Sequence, residues 1–184
     1  MSSKPKNIMN TMIHHKSTRE DEPMNTELHE LFLDELADML HAEHQITKAL
    51  PKMIKATESD DLRTALEDHL EETKGHINRL EQAFESLDEK PKTKTCKGMK
   101  GILGEGDEMV KDEKDSSALD AAVIAAGQKV EHYEIASYGT LIAWAEQMGH
   151  ADAAKLLKQN LQEEKAADQK LTELACSGAN QKAA

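Results

Sequence analysis

Apolar residues recur at three- and four-residue intervals over most of the chain. Leu28, Leu31, Phe32, Met39, Ile46, Leu50 and Met53 form one series, and Leu62, Leu66, Leu70, Ile77, Leu80, Phe84 and Leu87 a second. That spacing puts each series on one face of a helix. Asn25 or Thr26 can cap a first helix over about 26–57, with Pro51 bending its last turns. Ser59-Asp60-Asp61 caps a second over about 60–88. The connection between them is so short that the two helices must run antiparallel. Residues 89–117 break the pattern with Pro91, Gly98, Gly101, Gly104, Gly106 and many lysines, leaving room for a short helix around 105–114. A third long helix runs from a Ser116-Ser117 cap to about Met148, where Gly149 stops it. A fourth covers about 151–175 and ends at Ser177-Gly178.

Four long helices, two short links and one long link specify an all-α four-helix bundle. A helix of ~28 residues is ~42 Å long at 1.5 Å per residue, so the middle link can traverse the bundle. A single long crossover between the second and third helices is the topology of ferritin-like bundles. The bundle occupies 26–176, between a flexible N-terminal tail (1–25) and a disordered C-terminal tail (177–184). A weak internal echo fits two related hairpins. LEDHLEETKGHINRL at Leu66–Leu80 matches LKQNLQEEKAADQKL at Leu157–Leu171 in three leucines and in Glu72/Glu163 and Lys74/Lys165, and the same offset lays Glu43 on Glu134.

Composition agrees with helices and excludes sheets. The chain has five aromatic residues (Phe32, Phe84, Tyr133, Tyr138, Trp144) and three valines, too few for a sandwich, barrel or parallel sheet. Net charge is −12, and residues 1–19 carry Lys4, Lys6, Lys16 and Arg19 without an acid, which leaves −16 on the rest. An acidic body repels phosphate and argues against a nucleic-acid surface. No apolar run is long enough to span a membrane. Cys96, in a polar loop, and Cys176, near the C-terminus, form no disulfide framework, so a cytoplasmic location is expected.

The acids matter more by position than by number. Winding each helix at ~100° per residue places Glu134 amid Val123, Val130, Leu141 and Ala145 on the third helix, and Glu164 and Asp168 inside the Leu157–Leu161–Leu171 face of the fourth. On the first helix Glu43 and Glu35 fall in or beside the apolar stripe. On the second His69, Thr73 and His76 turn inward, with Glu72 at the edge. Desolvating a carboxylate costs several kcal/mol unless it is paired or metal-bound. Acids turned inward on all four helices, near mid-length, therefore point to a metal site, and carboxylates with one or two imidazoles suit iron or manganese better than zinc. Glu35 lies two turns from Glu43 and reads as structural.

Ala42-Glu43-His44-Gln45, His69-Leu70-Glu71-Glu72-Thr73-Lys74, Lys129-Val130-Glu131-His132-Tyr133-Glu134-Ile135-Ala136-Ser137-Tyr138 and Glu163-Glu164-Lys165 together resemble the YciF-type family of ferritin-like bacterial stress proteins, over roughly Glu27 to Ala175. The resemblance implies a dimetal carboxylate site. Ferritin-like sites take a Glu from each of two helices and Glu-x-x-His from each of the others. Here Gly75 and Ala167 stand where those histidines belong, and His76 and Asp168, one residue further on, are the substitutes. Glu72, Glu134 and Glu164 would then bridge or chelate two ions, with Glu43 and Glu131 terminal and His76 supplying nitrogen. His69 is either a ligand or a group orienting Glu72, and Glu163 competes with Glu164. Tyr133 and Tyr138 could hydrogen-bond a ligand carboxylate, but the favoured reading makes them helix-packing aromatics with their hydroxyls at the surface.

Two functions fit. The first is a two-metal protein, with iron or manganese, reacting with oxygen or peroxide in oxidative-stress protection. The second is a non-catalytic stress or interaction protein on the same bundle. A homodimer is expected in either case, because bundles often bury a further apolar strip between copies.

Overall fold

A computed structural model describes residues 26–184; the expected N-terminal tail lies outside the described residues. The elements are α1 (Thr26–Ala56), α2 (Asp60–Glu85), α3 (Lys97–Asp112), α4 (Leu119–Gln147) and α5 (Ala151–Leu174), with no strand among the described residues. Hairpins α1–α2 and α4–α5 pack together through α2 against α5 and α1 against α4, closing a four-helix ring, while α3 lies over α4 and α1. This is a ferritin-like bundle, and the crossover between α2 and α4 carries α3. The stripes meet in one core containing Phe32, Leu36, Met39, Leu62, Leu80, Phe84, Leu141 and Leu157. Each such side chain contributes about 1.5–3 kcal/mol relative to exposure.

Pro51 is accommodated within α1, exposed to solvent. Ser59 caps α2 as the sequence predicts, its side chain accepting from the Leu62 amide. A second device at this corner comes from α4. The buried Asp120 carboxylate accepts from the Thr57 hydroxyl at 2.6 Å and from the Glu58 and Ser59 amides at 2.9 and 3.1 Å. It thereby ties the α1–α2 turn to the start of α4 and satisfies amides that the turn would leave unpaired. Gly149 ends α4 at φ +77°, a conformation that L side chains avoid.

Several boundaries differ from expectation. The short crossover helix is 16 residues long and starts at Lys97. Cys96 is not in a polar loop exposed to solvent. It is buried and caps α3, its Sγ accepting from the Met99 amide at 3.3 Å and meeting the Tyr133 hydroxyl at 3.1 Å. Gln45 and His41 of α1 hold the Cys96 backbone at 3.0 and 3.2 Å. Ser116 does not cap α4 directly; its hydroxyl accepts from Ala118 and α4 begins at Leu119. Beyond α5 the chain continues as a π-helical turn (Ala175–Ala179) and a last turn (Asn180–Ala183) instead of a disordered tail, because Ala175 and Ala179 are buried against the core.

Candidate metal centre

All four bundle helices send ionisable groups into one region. Glu43 comes from α1, His69 and His76 from α2, Glu131 and Glu134 from α4, and Glu164 from α5. All six are buried. His69 and His76 are two turns apart, about 10.5 Å along the axis, yet their ring centroids lie only 6.3 Å apart. Glu164 sits between the imidazoles. His76 Nδ1 lies 2.8 Å from its Oε1 and 3.4 Å from Glu43 Oε1, while His69 Nε2 lies 3.9 Å from Glu164 Oε2 and 3.4 Å from Glu131 Oε1.

Two overlapping groups result. His69, Glu131, Glu134 and Glu164 each offer one ligand atom within 4.8 Å of the others, and so do Glu43, His76 and Glu164. Glu164 belongs to both. Buried polar atoms normally find partners. Here both oxygens of Glu134 and of Glu164, one oxygen each of Glu43 and Glu131, both ring nitrogens of His69 and Nδ1 of His76 have no hydrogen-bond partner of proper geometry. That concentration of unpaired oxygen and imidazole donors, with no thiolate among them, could hold a metal ion.

The electrostatics follow from burial. Glu134 is held well above the usual carboxyl range by burial and then by Glu164, Glu43 and Glu131. Glu131 is raised in the same way, by burial with Glu164 adding to it against the pull of His69. Burial also raises Glu164, which His76 partly offsets. For His76 burial acts downward, but the carboxylates of Glu164 and Glu43 close to its Nδ1 outweigh it and push the imidazole up to about 10. Without cations the site must keep protons to hold these acids together.

An outer ring orients the inner groups. His76 Nε2 meets Glu163 at 2.9 Å, and Arg79 pairs with Glu163 and with Asn160. Asn160 in turn donates to the His76 carbonyl at 3.3 Å and to the Tyr138 hydroxyl at 2.9 Å. Tyr138 donates to Glu43. Once His76 gives up one proton and keeps its Nε2 hydrogen on Glu163, the lone pair of Nδ1 would face the cluster, the usual division of labour at a metal-binding imidazole.

The structure brings together Glu43, His69, His76, Glu131, Glu134 and Glu164 from the predicted residues. Glu72 remains at the rim, its side chain 46% exposed and 3.5 Å from His69 Nδ1. Asp168 belongs to a separate surface set with Gln128 at 3.1 Å and His132 at 3.4 Å. Glu163 is the outer partner of His76 and Glu164 the inner residue. The surface reading of the tyrosine hydroxyls is corrected: Tyr138 is fully buried on Glu43, and the Tyr133 hydroxyl meets Cys96 and donates to Asp38 at 3.2 Å. Asn160 and Arg79 escaped sequence reading. Asn160 precedes Glu164 by four residues, so the acid's face carried the signal.

A one-crossover bundle with a buried cluster of carboxylates and imidazoles defines a ferritin-like protein. Residues 27–184 match the family model described as a domain of unknown function, DUF892, and the chain belongs to that family. It is 48% identical over 157 residues to protein YciF of Escherichia coli K12, covering 85% of this chain and 95% of YciF. The crystal structure of that stress protein superposes with a TM-score of 0.78 over 83% of this chain and 97% of its own. YcfI of Rhodopseudomonas palustris, at 49% identity, also gives 0.78 over 83% of this chain and 96% of its own. Among the described residues no helix is long and apolar enough to cross a membrane.

Proposed function

We propose that the chain is a two-metal carboxylate protein of iron or manganese that reacts with dioxygen or peroxide in stress protection. The observation that carries this reading is Glu164, buried with both oxygens unpaired and shared by the two ligand groups. His69, Glu131 and Glu134 would hold one ion with Glu164, and Glu43 and His76 would hold the other with it. Bound iron or manganese would supply redox chemistry toward oxygen species.

The chain's own residues have three tasks. Glu43, Glu131, Glu134 and Glu164 provide negative charge that balances the cations in a medium where charge is costly. Tyr138 fixes Glu43, while Glu163 and Arg79 fix the imidazole of His76, so the ligands are oriented before ions arrive. The apolar core above and below the cluster limits water. The E. coli relative is named a stress protein, in keeping with this role.

A purely architectural bundle would gain by replacing the unpaired acids with apolar residues of similar size. Anaerobic titration of the metal-free protein with ferrous iron tests the proposal. Two ions per chain are expected, falling below one in Glu164→Ala; no binding by the unaltered chain contradicts it.

A further inference from the structure

Two hollows reach His69 and Glu131: an apolar one of about 30 Å³ among side chains such as Leu50, Leu103 and Val123, and a wider cleft that also holds acids. The cleft, about 280 Å³, lies between α2 and α5 and reaches His69 and Glu131. Ala65 of α2 and Ala166 and Ala167 of α5 line it, where larger side chains would close the gap between the helices. One water requires roughly 10–15 Å³ on this scale, so an ion with its hydration shell fits. Asp68 and Glu72 stand in the same cleft, both exposed, with Lys170 as its cationic residue. At its inner end, the ring nitrogens of His69 and Oε2 of Glu131 are buried without hydrogen-bond partners. His69 joins the two zones, with Nδ1 3.5 Å from Glu72 and Nε2 3.4 Å from Glu131.

We propose that this cleft is the entry route for divalent cations, with Asp68 and Glu72 collecting a hydrated ion and His69 and Glu131 taking it inward as it sheds water. The inference rests on the metal-centre reading and adds the route and the residues that set its rate. It gives Glu72 a place that its rim position otherwise leaves unexplained. Acidic groups raise the local concentration of a cation and its rate of association, and salt screens the effect. The alanines act sterically, independently of salt. The other approaches differ: His76 Nε2 is covered by Glu163, which Arg79 also holds, and the hollow beside Leu50, Leu103 and Val123 is small and lined mainly by apolar side chains.

Rapid mixing of the metal-free full-length protein with manganese(II), followed by the decay of the free-ion electron paramagnetic resonance signal, tests the route. Asp68→Asn should slow loading several-fold and Lys170→Glu should speed it several-fold at low ionic strength, both differences shrinking near 1 M salt. Ala167→Leu should slow loading about tenfold or more at any salt, with the final manganese content unchanged. Ala65→Leu repeats the plug from the opposite wall, so a folding failure of one variant leaves the other to decide. Unaltered rates in all folded variants, with full manganese content, overturn the route and leave the metal centre standing. No manganese binding by the unaltered chain overturns both.

Discussion

The hydroxyl of Tyr138 donates to the carboxylate of Glu43 across the bundle core, and the amide of Asn160 donates to that same hydroxyl at 2.9 Å. α4, α1 and α5 are thus joined by one phenol oxygen. Tyr138→Phe removes both bonds and leaves buried groups unpaired, at a cost of about 1–3 kcal/mol. Released from its partner, Glu43 should also bind metal less tightly, by roughly 10–100-fold. Denaturant unfolding and a metal titration on the same variant check the two effects. Unchanged affinity would remove Tyr138 from the orientation of Glu43.

Glu134 separates function from stability. It is fully buried, with neither oxygen hydrogen-bonded. Replacing such a group with an apolar residue of similar volume often stabilises a fold by about 1–4 kcal/mol. Glu134→Met should therefore raise the melting temperature of the metal-free protein while reducing metal binding. A variant that melts lower than the metal-free parent would show that the acid supports the fold.

The pH dependence of the metal-free protein has a defined sign. Burial raises the carboxyl pKa values of Glu134, Glu131 and Glu164, and His76 is pushed up from 6.5 to about 10. Each group binds its proton more tightly folded than unfolded, so rising pH withdraws stability. The His76 contribution is complete below about 6.5 and lost as pH rises through about 10. The carboxyl contributions decline from about 4.5, their unfolded value, upward. The melting temperature should fall between about pH 6 and 9 without metal, and manganese should flatten the slope because it replaces the protons. Calorimetry at several pH values checks this; a metal-free protein that gains stability over that range contradicts it.

Asp120 holds the α1–α2 corner through three hydrogen bonds. Asp120→Ala strands the Thr57 hydroxyl and two amides, and should cost about 2–4 kcal/mol. Urea unfolding measures it. Metal content per folded chain should be unaffected, since the corner lies away from the cluster.

Helical periodicity carried most of the architecture. The stripes of α1, α2, α4 and α5 and the glycine stop at Gly149 are local signals, so the bundle and its single crossover were legible. The inward acids were legible too, because a Glu within an apolar stripe contradicts the pattern around it. What periodicity cannot supply is the partner across the core. A carboxylate partner for Tyr138 is one of two readings that winding leaves open, and the structure alone selects Glu43 and adds Asn160, of which a lone asparagine on a helix face carries no sign. Glu72 and Asp168 show the complementary limit. Glu72 stands at the edge of its stripe and stays at the rim, whereas Asp168, which winding puts on the inner face of its helix, turns to Gln128 and His132 instead. The internal echo aligns Glu72 with Glu163, and both lie outside the cluster, each against an imidazole. α3 was underestimated because its glycines read as loop, whereas Cys96 caps it and Gly98 lies against Tyr133 so closely that an added Cβ would sit 2.8 Å from the ring.

Anomalous scattering from crystals of the protein loaded with manganese tests the central claim most directly. The account predicts two peaks per chain, one bounded by His69, Glu131, Glu134 and Glu164 and one by Glu43, His76 and Glu164, with Glu164 touching both. Loaded crystals with no peak between those residues, or peaks confined to surface acids, would contradict it.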